Sequence, residues 1–398
     1  MRTISISFLL PLTLLTCNNI DPTNPFQVEN QGYVIVDTGQ DKYYDNTTVI
    51  SKPGASDLFN GQDAHYTGNT PSYLNNGDGT ITDKVTGLMW QQDPGSKMSF
   101  EEALEAADRC ALGGYNDWRL PGIKELYSLI LFTGLNGPSQ QQSKPFIDTD
   151  YFIQPYGDIS AGERFIDAQT WSATEYSGTT MNGNATAFGV NFVDGRIKGY
   201  PKTRRDQTNN KLHVRLVRGN SEYGKNQFVD NGDGTISDLA TRLMWQKADD
   251  GTARDWKSAL EYSEKLEFAG YSDWRLPNAK ELHSIVDYTK SPRASGSAAI
   301  DPVFDITEIE DPEGNLQYPY FWSSTTREDG KKRYTKAVYF AFGEAQGIMN
   351  GRLMDVHGAG AQRSDPKYGN QGDYPQYIGP QGDLRYVYNY VRCVRDIP

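Results

Sequence analysis

The sequence predicts an α+β protein built from two tandem copies of one unit, each with two helices on a short, irregular antiparallel sheet. Three observations carry this. Long motifs recur once, about 155 residues apart, which is a domain-sized duplication rather than a solenoid repeat. Each copy opens with Asn-Gly and Asp-Gly between strand-forming flanks, the signal of a tight hairpin. Helix caps with apolar stripes follow, and then short alternating strands.

Taken in order, residues 1–17 read as an export signal. Arg2 supplies the positive end, and Ile4 through Leu15 form an apolar stretch too short to span a bilayer stably. It ends in Leu14-Leu15-Thr16-Cys17, which resembles the bacterial lipobox, although Thr16 stands where Gly, Ala or Ser is usual. In that motif the cysteine is lipidated and becomes the mature N-terminus. An ordinary secretory signal is the other reading. Both imply export, and lipidation of Cys17 would anchor the chain to a membrane, at the outer membrane or cell surface. Residues 18–72 read as a polar tether and leader.

The first copy spans residues 73–219 and the second 220–398. Asn75-Asn76-Gly77-Asp78-Gly79 and Asp230-Asn231-Gly232-Asp233-Gly234 set the hairpins, which continue into Leu88-Met89-Trp90-Gln91 and Leu243-Met244-Trp245-Gln246. Ser99 with Glu102 forms a capping box ahead of Phe100, Ala103, Leu104 and Ala107. Asp255 is the matching cap before Trp256, Ala259 and Leu260. Asp117-Trp118-Arg119-Leu120-Pro121 and Asp273-Trp274-Arg275-Leu276-Pro277 end a strand and precede the second helix, with Lys124-Glu125-Leu126 and Lys280-Glu281-Leu282 on it. Trp171-Ser172-Ala173-Thr174 pairs with Trp322-Ser323-Ser324-Thr325. Ala187–Phe192, a turn at Asp194-Gly195 and Arg196-Ile197 form a hairpin, and Val338–Phe342 matches its first strand. Val214-Arg215-Leu216-Val217-Arg218 and Val391-Arg392-Cys393-Val394-Arg395 close the copies.

Composition removes several function classes. The 398 residues hold 39 Lys and Arg against 51 Asp and Glu, a net charge of -12, which argues against non-specific nucleic-acid binding. An aromatic content of 12% argues against disorder. A mean hydropathy of -0.66 excludes a polytopic membrane protein. The only cysteines are Cys17, Cys110 and Cys393, too few for a disulfide-dense scaffold or a cysteine-rich zinc module.

Taken together, the Trp-Arg-Leu-Pro, Trp-Ser-x-Thr and Val-Arg-x-Val-Arg elements resemble the family named for the C-terminal domain of the Legionella collagen-like adhesin. The resemblance extends to the leader, Val36-Asp37-Thr38-Gly39-Gln40, and to Met354-Asp355-Val356-His357-Gly358-Ala359-Gly360. The motifs are also similar to C-type-lectin-like and formylglycine-generating-enzyme-like folds, so the resemblance implies two tandem C-type-lectin-like domains. It implies carbohydrate or glycosaminoglycan adhesion for the name-giving member. For this chain the expectation is a cell-surface adhesin whose partner is a polysaccharide or a host or environmental glycan. A structural envelope lipoprotein binding protein partners is the alternative, and an enzyme of unrecognised type comes third.

Catalysis is not expected. Formylglycine-generating enzymes use paired cysteines near the C-terminus, and here Cys393 stands without a second one there. His65, His213, His283 and His357 lack metal-ligand spacing, and neither a nucleophile elbow nor a phosphate loop is present. An EF-hand needs an oxygen ligand five residues before its glycine, where Leu74 and Val229 stand, so the hairpin reading prevails. No metal site is assigned, and calcium elsewhere in a lectin-like fold is the one cofactor left open. The recurring tryptophans read as core, and Arg119 and Arg275, beside Asp117 and Asp273, as structural ion-pair or backbone-clamping groups.

Two sets remain as ligand-binding candidates. Arg196, Lys198, Lys202, Arg204, Arg205 and Lys211 form a basic stretch suited to a sulfated or acidic polysaccharide, with a solvated surface as the other reading. Asp355 and His357 are a polar pair in a glycine-rich loop. In the resembled family a helix cysteine commonly accompanies one in the final strand. Here the pair is split, Cys110 with Leu216 and Leu266 with Cys393. Exchange of the final strands between copies would match Cys110 with Cys393, so exchanged C-terminal strands and a Cys110–Cys393 disulfide are expected. Two unrelated buried thiols are the other reading.

Overall fold

Tight turns organise the outer sheet of each copy. Asp78 Oδ1 accepts the Thr80 amide at 3.0 Å and its hydroxyl at 2.6 Å, while Asn75 Oδ1 accepts the Gly77 amide at 2.9 Å. Asp233 and Asp230 repeat these bonds on Thr235 and Gly232. Gly77 and Gly79 have φ of 79° and 87°, which glycine adopts without a Cβ penalty. These carboxamide and carboxylate oxygens bond their own turns, as a hairpin requires.

The structure, a computed structural model, describes residues 32–181 and 183–397; the export signal and Cys17 lie outside the described residues. The leader contributes a ribbon, β1 (Tyr43–Tyr44) and β2 (Val49–Ile50). The first copy runs β3 (Tyr73–Asn75), β4 (Thr80–Asp83), β5 (Leu88–Gln91), α1 (Phe100–Asp108), α2 (Ile123–Ser128), β6 (Gln169–Glu175), β7 (Thr186–Asn191), β8 (Arg196–Pro201) and β9 (Val217–Gly219). The second opens with β10 (Phe228–Asp230), β11 (Thr235–Asp238), β12 (Leu243–Gln246), α3 (Trp256–Glu264), α4 (Ala279–Ser284) and α5 (Pro292–Ser295). It continues through β13 (Ile309–Glu310), β14 (Leu316–Gln317), β15 (Tyr320–Arg327), β16 (Lys336–Ala341), β17 (Gln346–Met349) and β18 (Arg352–Asp355). Its last strands are β19 (Gln362–Pro366), β20 (Tyr377–Ile378), β21 (Asp383–Leu384) and β22 (Val394–Asp396). The α+β reading and the paired helices of each copy are present. The Ser99–Glu102 capping box forms and α1 buries Phe100, Ala103 and Ala107, while Leu104 faces solvent.

The copies share a sheet. Its order is β15-β16-β19-β8-β7-β6, three strands from each copy, joined where Gln362 pairs with Ile197. Beneath it lies one apolar cluster drawn from both copies, including Trp90, Leu126 and Phe188 of the first and Trp245, Leu282 and Phe340 of the second. Smaller outer cores sit under α1 and α3. All six recurring tryptophans are buried, consistent with their large apolar area.

Near-twofold symmetry centres on α2 and α4. Lys124 Nζ donates to the Ser284 carbonyl at 2.7 Å, and its counterpart Lys280 donates to the Ser128 carbonyl at 2.8 Å. Each lysine thus satisfies a carbonyl at the C-terminal end of the other copy's helix, where carbonyls lack an intrahelical partner. Between them Tyr127 meets its own counterpart, His283, with ring centroids 4.4 Å apart. The leader then straps the second copy. Gln40 exchanges two hydrogen bonds with the Thr326 backbone, and the Asp63 carboxylate accepts from Thr38 and Thr325.

The final strands are not exchanged, which corrects the expectation from the cysteines. β9 pairs with β5, Trp90 opposite Val217, and β22 pairs with β12, Trp245 opposite Val394. The physical reason lies in the neighbouring arginines. Arg215 donates to the carbonyls of Gln91, Gln92 and Ile153, and Arg392 to those of Gln246, Lys247 and Asp305. Arg218 pairs with Asp117 over the Tyr115 ring, and Arg395 with Asp273 over Tyr271. Each set is complete within its own copy.

Cys110 and Cys393 are accordingly free thiols in different outer cores. Cys110 and Leu216 belong to one, Cys393 and Leu266 to the other. Cysteine packs as a small apolar group, so each Cys–Leu combination fills its site without a bond.

Candidate functional site

β8 positions the start of the basic stretch. Its alternation sends Ile197 into the shared core and turns Arg196 and Lys198 to the outer face. Arg196 contacts Asp194 at 3.0 Å and Asp329 at 3.6 Å. Lys202 meets Glu175 at 2.7 Å and lies 4.1 Å above the Phe100 ring. Lys211 pairs with Glu102 at 3.2 Å. Three of the six cations, Arg196, Lys202 and Lys211, are therefore paired with carboxylates of the protein itself.

Arg204 and Arg205 differ. Arg204 Nε reaches only the side-chain oxygen of Asn210, at 3.4 Å, and Arg205 has no partner among the described residues. Both line a groove of about 530 Å³ with Asn184, Asn210, Met349 and Asn350. The loop after β8 supplies one wall and the β17–β18 turn of the second copy supplies the other. The groove thus presents two guanidinium groups and several side-chain amides, a donor-rich surface. A second cleft between the copies, about 440 Å³, is lined by Lys124, Tyr288, Asp287 and Asp301. Lys124 is already bonded across the copies, and the remaining rim carries more acid, Glu125, Asp287 and Asp301, than base, Lys225.

Asp355 and His357 are buried, which removes them from the ligand-facing set. Asp355 accepts the Tyr176 hydroxyl at 2.6 Å and the Gly358 amide at 2.7 Å. Its carbonyl accepts the Met181 amide, and the His357 carbonyl accepts the Gly199 amide at 2.7 Å. His357 Nε2 lies 2.7 Å from Arg363 Nη1 and 2.9 Å from Asp383. Burial pushes the Asp355 carboxyl up to about 7 and the His357 imidazole down to about 3. Gly358 and Gly360 have φ of 86° and 98°, and an added Cβ would meet Phe188 at 2.8 Å and Tyr288 at 2.6 Å. The Met354–Gly360 segment is a stitch between the copies.

Other sequence readings resolve similarly. Arg119 and Arg275 pair with Glu125 and Glu281 of the following helix, as structural groups. Of the tyrosines and phenylalanines outside the recurring motifs, Phe152, Tyr176, Tyr318 and Tyr320 are buried, whereas Tyr151, Tyr156, Tyr200, Tyr368, Tyr374 and Tyr377 keep partial exposure. Sequence reasoning passed over Arg363 and Asp383, because they lie in a segment without a counterpart in the first copy. It also passed over Lys124 and Lys280 as contacts, although their recurrence was visible. Among the described residues no group of three or more His, Cys, Asp or Glu could hold a metal ion, and no helix is long and apolar enough to cross a membrane.

The family model of the Lcl C-terminal domain matches residues 79–218 and again residues 234–355. No curated relative and no solved structure matches the chain. The matched segments cover well over half of the sequence and fall one in each copy. The chain belongs to the Lcl C-terminal domain family, as a tandem member whose family points to an adhesin-like surface protein.

Proposed function

We propose that this chain is a non-catalytic surface adhesin that binds an anionic polysaccharide in the groove lined by Arg204 and Arg205. One observation carries the reading: among the described residues these guanidinium groups form no ion pair, with only the exposed Asp206 within electrostatic reach of Arg204, while Arg196, Lys202 and Lys211 beside them are each paired. A planar guanidinium donates two parallel hydrogen bonds to a sulfate or carboxylate. The acidic remainder repels a polyanion, which favours contact at this groove. The export signal and Cys17 lipidation would hold the protein at the outer membrane or cell surface.

The test is an array of sulfated, uronic and neutral glycans, run with and without calcium. The wild type should retain sulfated or uronic glycans, lose them at high salt, and lose about tenfold in affinity in an Arg204→Ala/Arg205→Ala variant. Unchanged binding by the variant would refute the groove. Retention of neutral glycans alone would refute the ligand class.

A further inference from the structure

The outer face of the shared sheet holds cations that the groove does not use. The pairing of Ile197 with Gln362 brings Arg196 and Lys198 of one copy beside Arg363 of the other. Lys198 is half-buried, and its ammonium has no hydrogen bond or ion pair to any described residue. Burial, with the Arg363 charge next in weight, pushes its ammonium down to about 7. Asp194 and Asp383 lie within electrostatic reach, but Arg196 holds the first and Arg363 the second. Beside Lys198, Arg196 Nε is a buried donor without an acceptor among the described residues. A half-buried ammonium costs free energy unless an acceptor or counter-charge reaches it, and the two neighbouring carboxylates are each engaged by an arginine rather than by Lys198.

We propose that the seam between β8 and β19 is an oxyanion site, where a carboxylate, sulfate or phosphate group docks against Lys198 between Arg196 and Arg363. The oxyanion is either free in solution or carried on a glycan. Each copy contributes to the site, so the ligand also bridges them. This site is independent of the Arg204–Arg205 groove.

Reductive methylation of the folded chain tests it, read at Lys198 by peptide mass spectrometry. Sodium sulfate, sodium phosphate and a sulfated oligosaccharide are compared with sodium chloride at equal ionic strength. At least one oxyanion should lower Lys198 labelling severalfold and saturably, leaving the exposed Lys225 unchanged. Protection by the inorganic anions assigns a free-anion site, and protection by the oligosaccharide alone assigns a glycan-borne group. Protection should persist in Arg204→Ala/Arg205→Ala, and the sulfate-dependent rise in Tm should be smaller in Lys198→Met, where only the general stabilisation by an excluded salt remains. Labelling indifferent to oxyanions overturns the proposal, as does equal protection by chloride or protection lost with the groove arginines. A Lys198 unlabelled even in chloride also overturns it, because a closed site admits no anion.

Discussion

Paired arginines show how much chemistry this chain keeps inside. In each Val-Arg-x-Val-Arg segment the first arginine is buried on backbone carbonyls and the second is clamped between an aspartate and a tyrosine ring. Of the two described cysteines, Cys393 is fully buried and Cys110 only partly. Burial pushes the Cys393 thiol up to about 12, so it is almost wholly protonated near pH 8. Alkylation in the folded state should therefore reach the partly exposed Cys110 and spare Cys393 until the chain is denatured. A Cys110–Cys393 linked peptide in a non-reducing digest would contradict the strand arrangement. At this scale the sequence was legible where a residue acts within its own element. The recurring tryptophans and the hairpin aspartates were readable because burial and turn geometry follow from local pattern. Asp355 and His357 were misread because a glycine-rich loop suggests exposure, whereas these glycines let Phe188 and Tyr288 approach closely.

The short central helices depend on each other. α2 and α4 are each six residues long, too short to be stable alone in water. Glu125 accepts the Gly122 amide at the start of α2, a full Asn278–Glu281 capping box forms at the start of α4, and the reciprocal lysines secure the C-terminal ends. Burial pushes the Lys280 ammonium from 10.5 down to about 7. Between those values the unfolded chain holds the proton and the folded chain does not, so this lysine makes stability rise with pH. The wild type should gain stability from pH 7 to pH 10 in denaturant titrations, and Lys280→Met should gain less. Lys124, pushed down to about 8, supplies a similar slope. Equal slopes for wild type and Lys280→Met would show that the lysine is not buried as described. The helices themselves were legible from caps and stripes. Their mutual contact was not, because nothing in a lysine's own neighbourhood says which distant carbonyl it meets.

For the whole molecule, duplication does not mean independence. One core and one sheet draw on both copies, and the leader bonds the second copy although it precedes the first. Unfolding should be a single cooperative event, with calorimetric and van't Hoff enthalpies in agreement. Two separated transitions would show that the copies behave as separate domains.

By itself the sequence determined the duplication, the α+β class, the hairpins and the helix starts, and it carried the motifs of the family. These follow from spacing and from neighbours along the chain, where turn geometry, capping and amphipathic period act. Only the tertiary structure decided which strand closes which sheet, which cations are already paired and which stay open to a ligand. Those outcomes depend on groups brought together from far apart in sequence. The net charge of -12 says nothing about which carboxylate faces which arginine; that is set by the shared sheet and the loop after β8, which leave Arg204, Arg205 and Lys198 without an ion pair among the described residues.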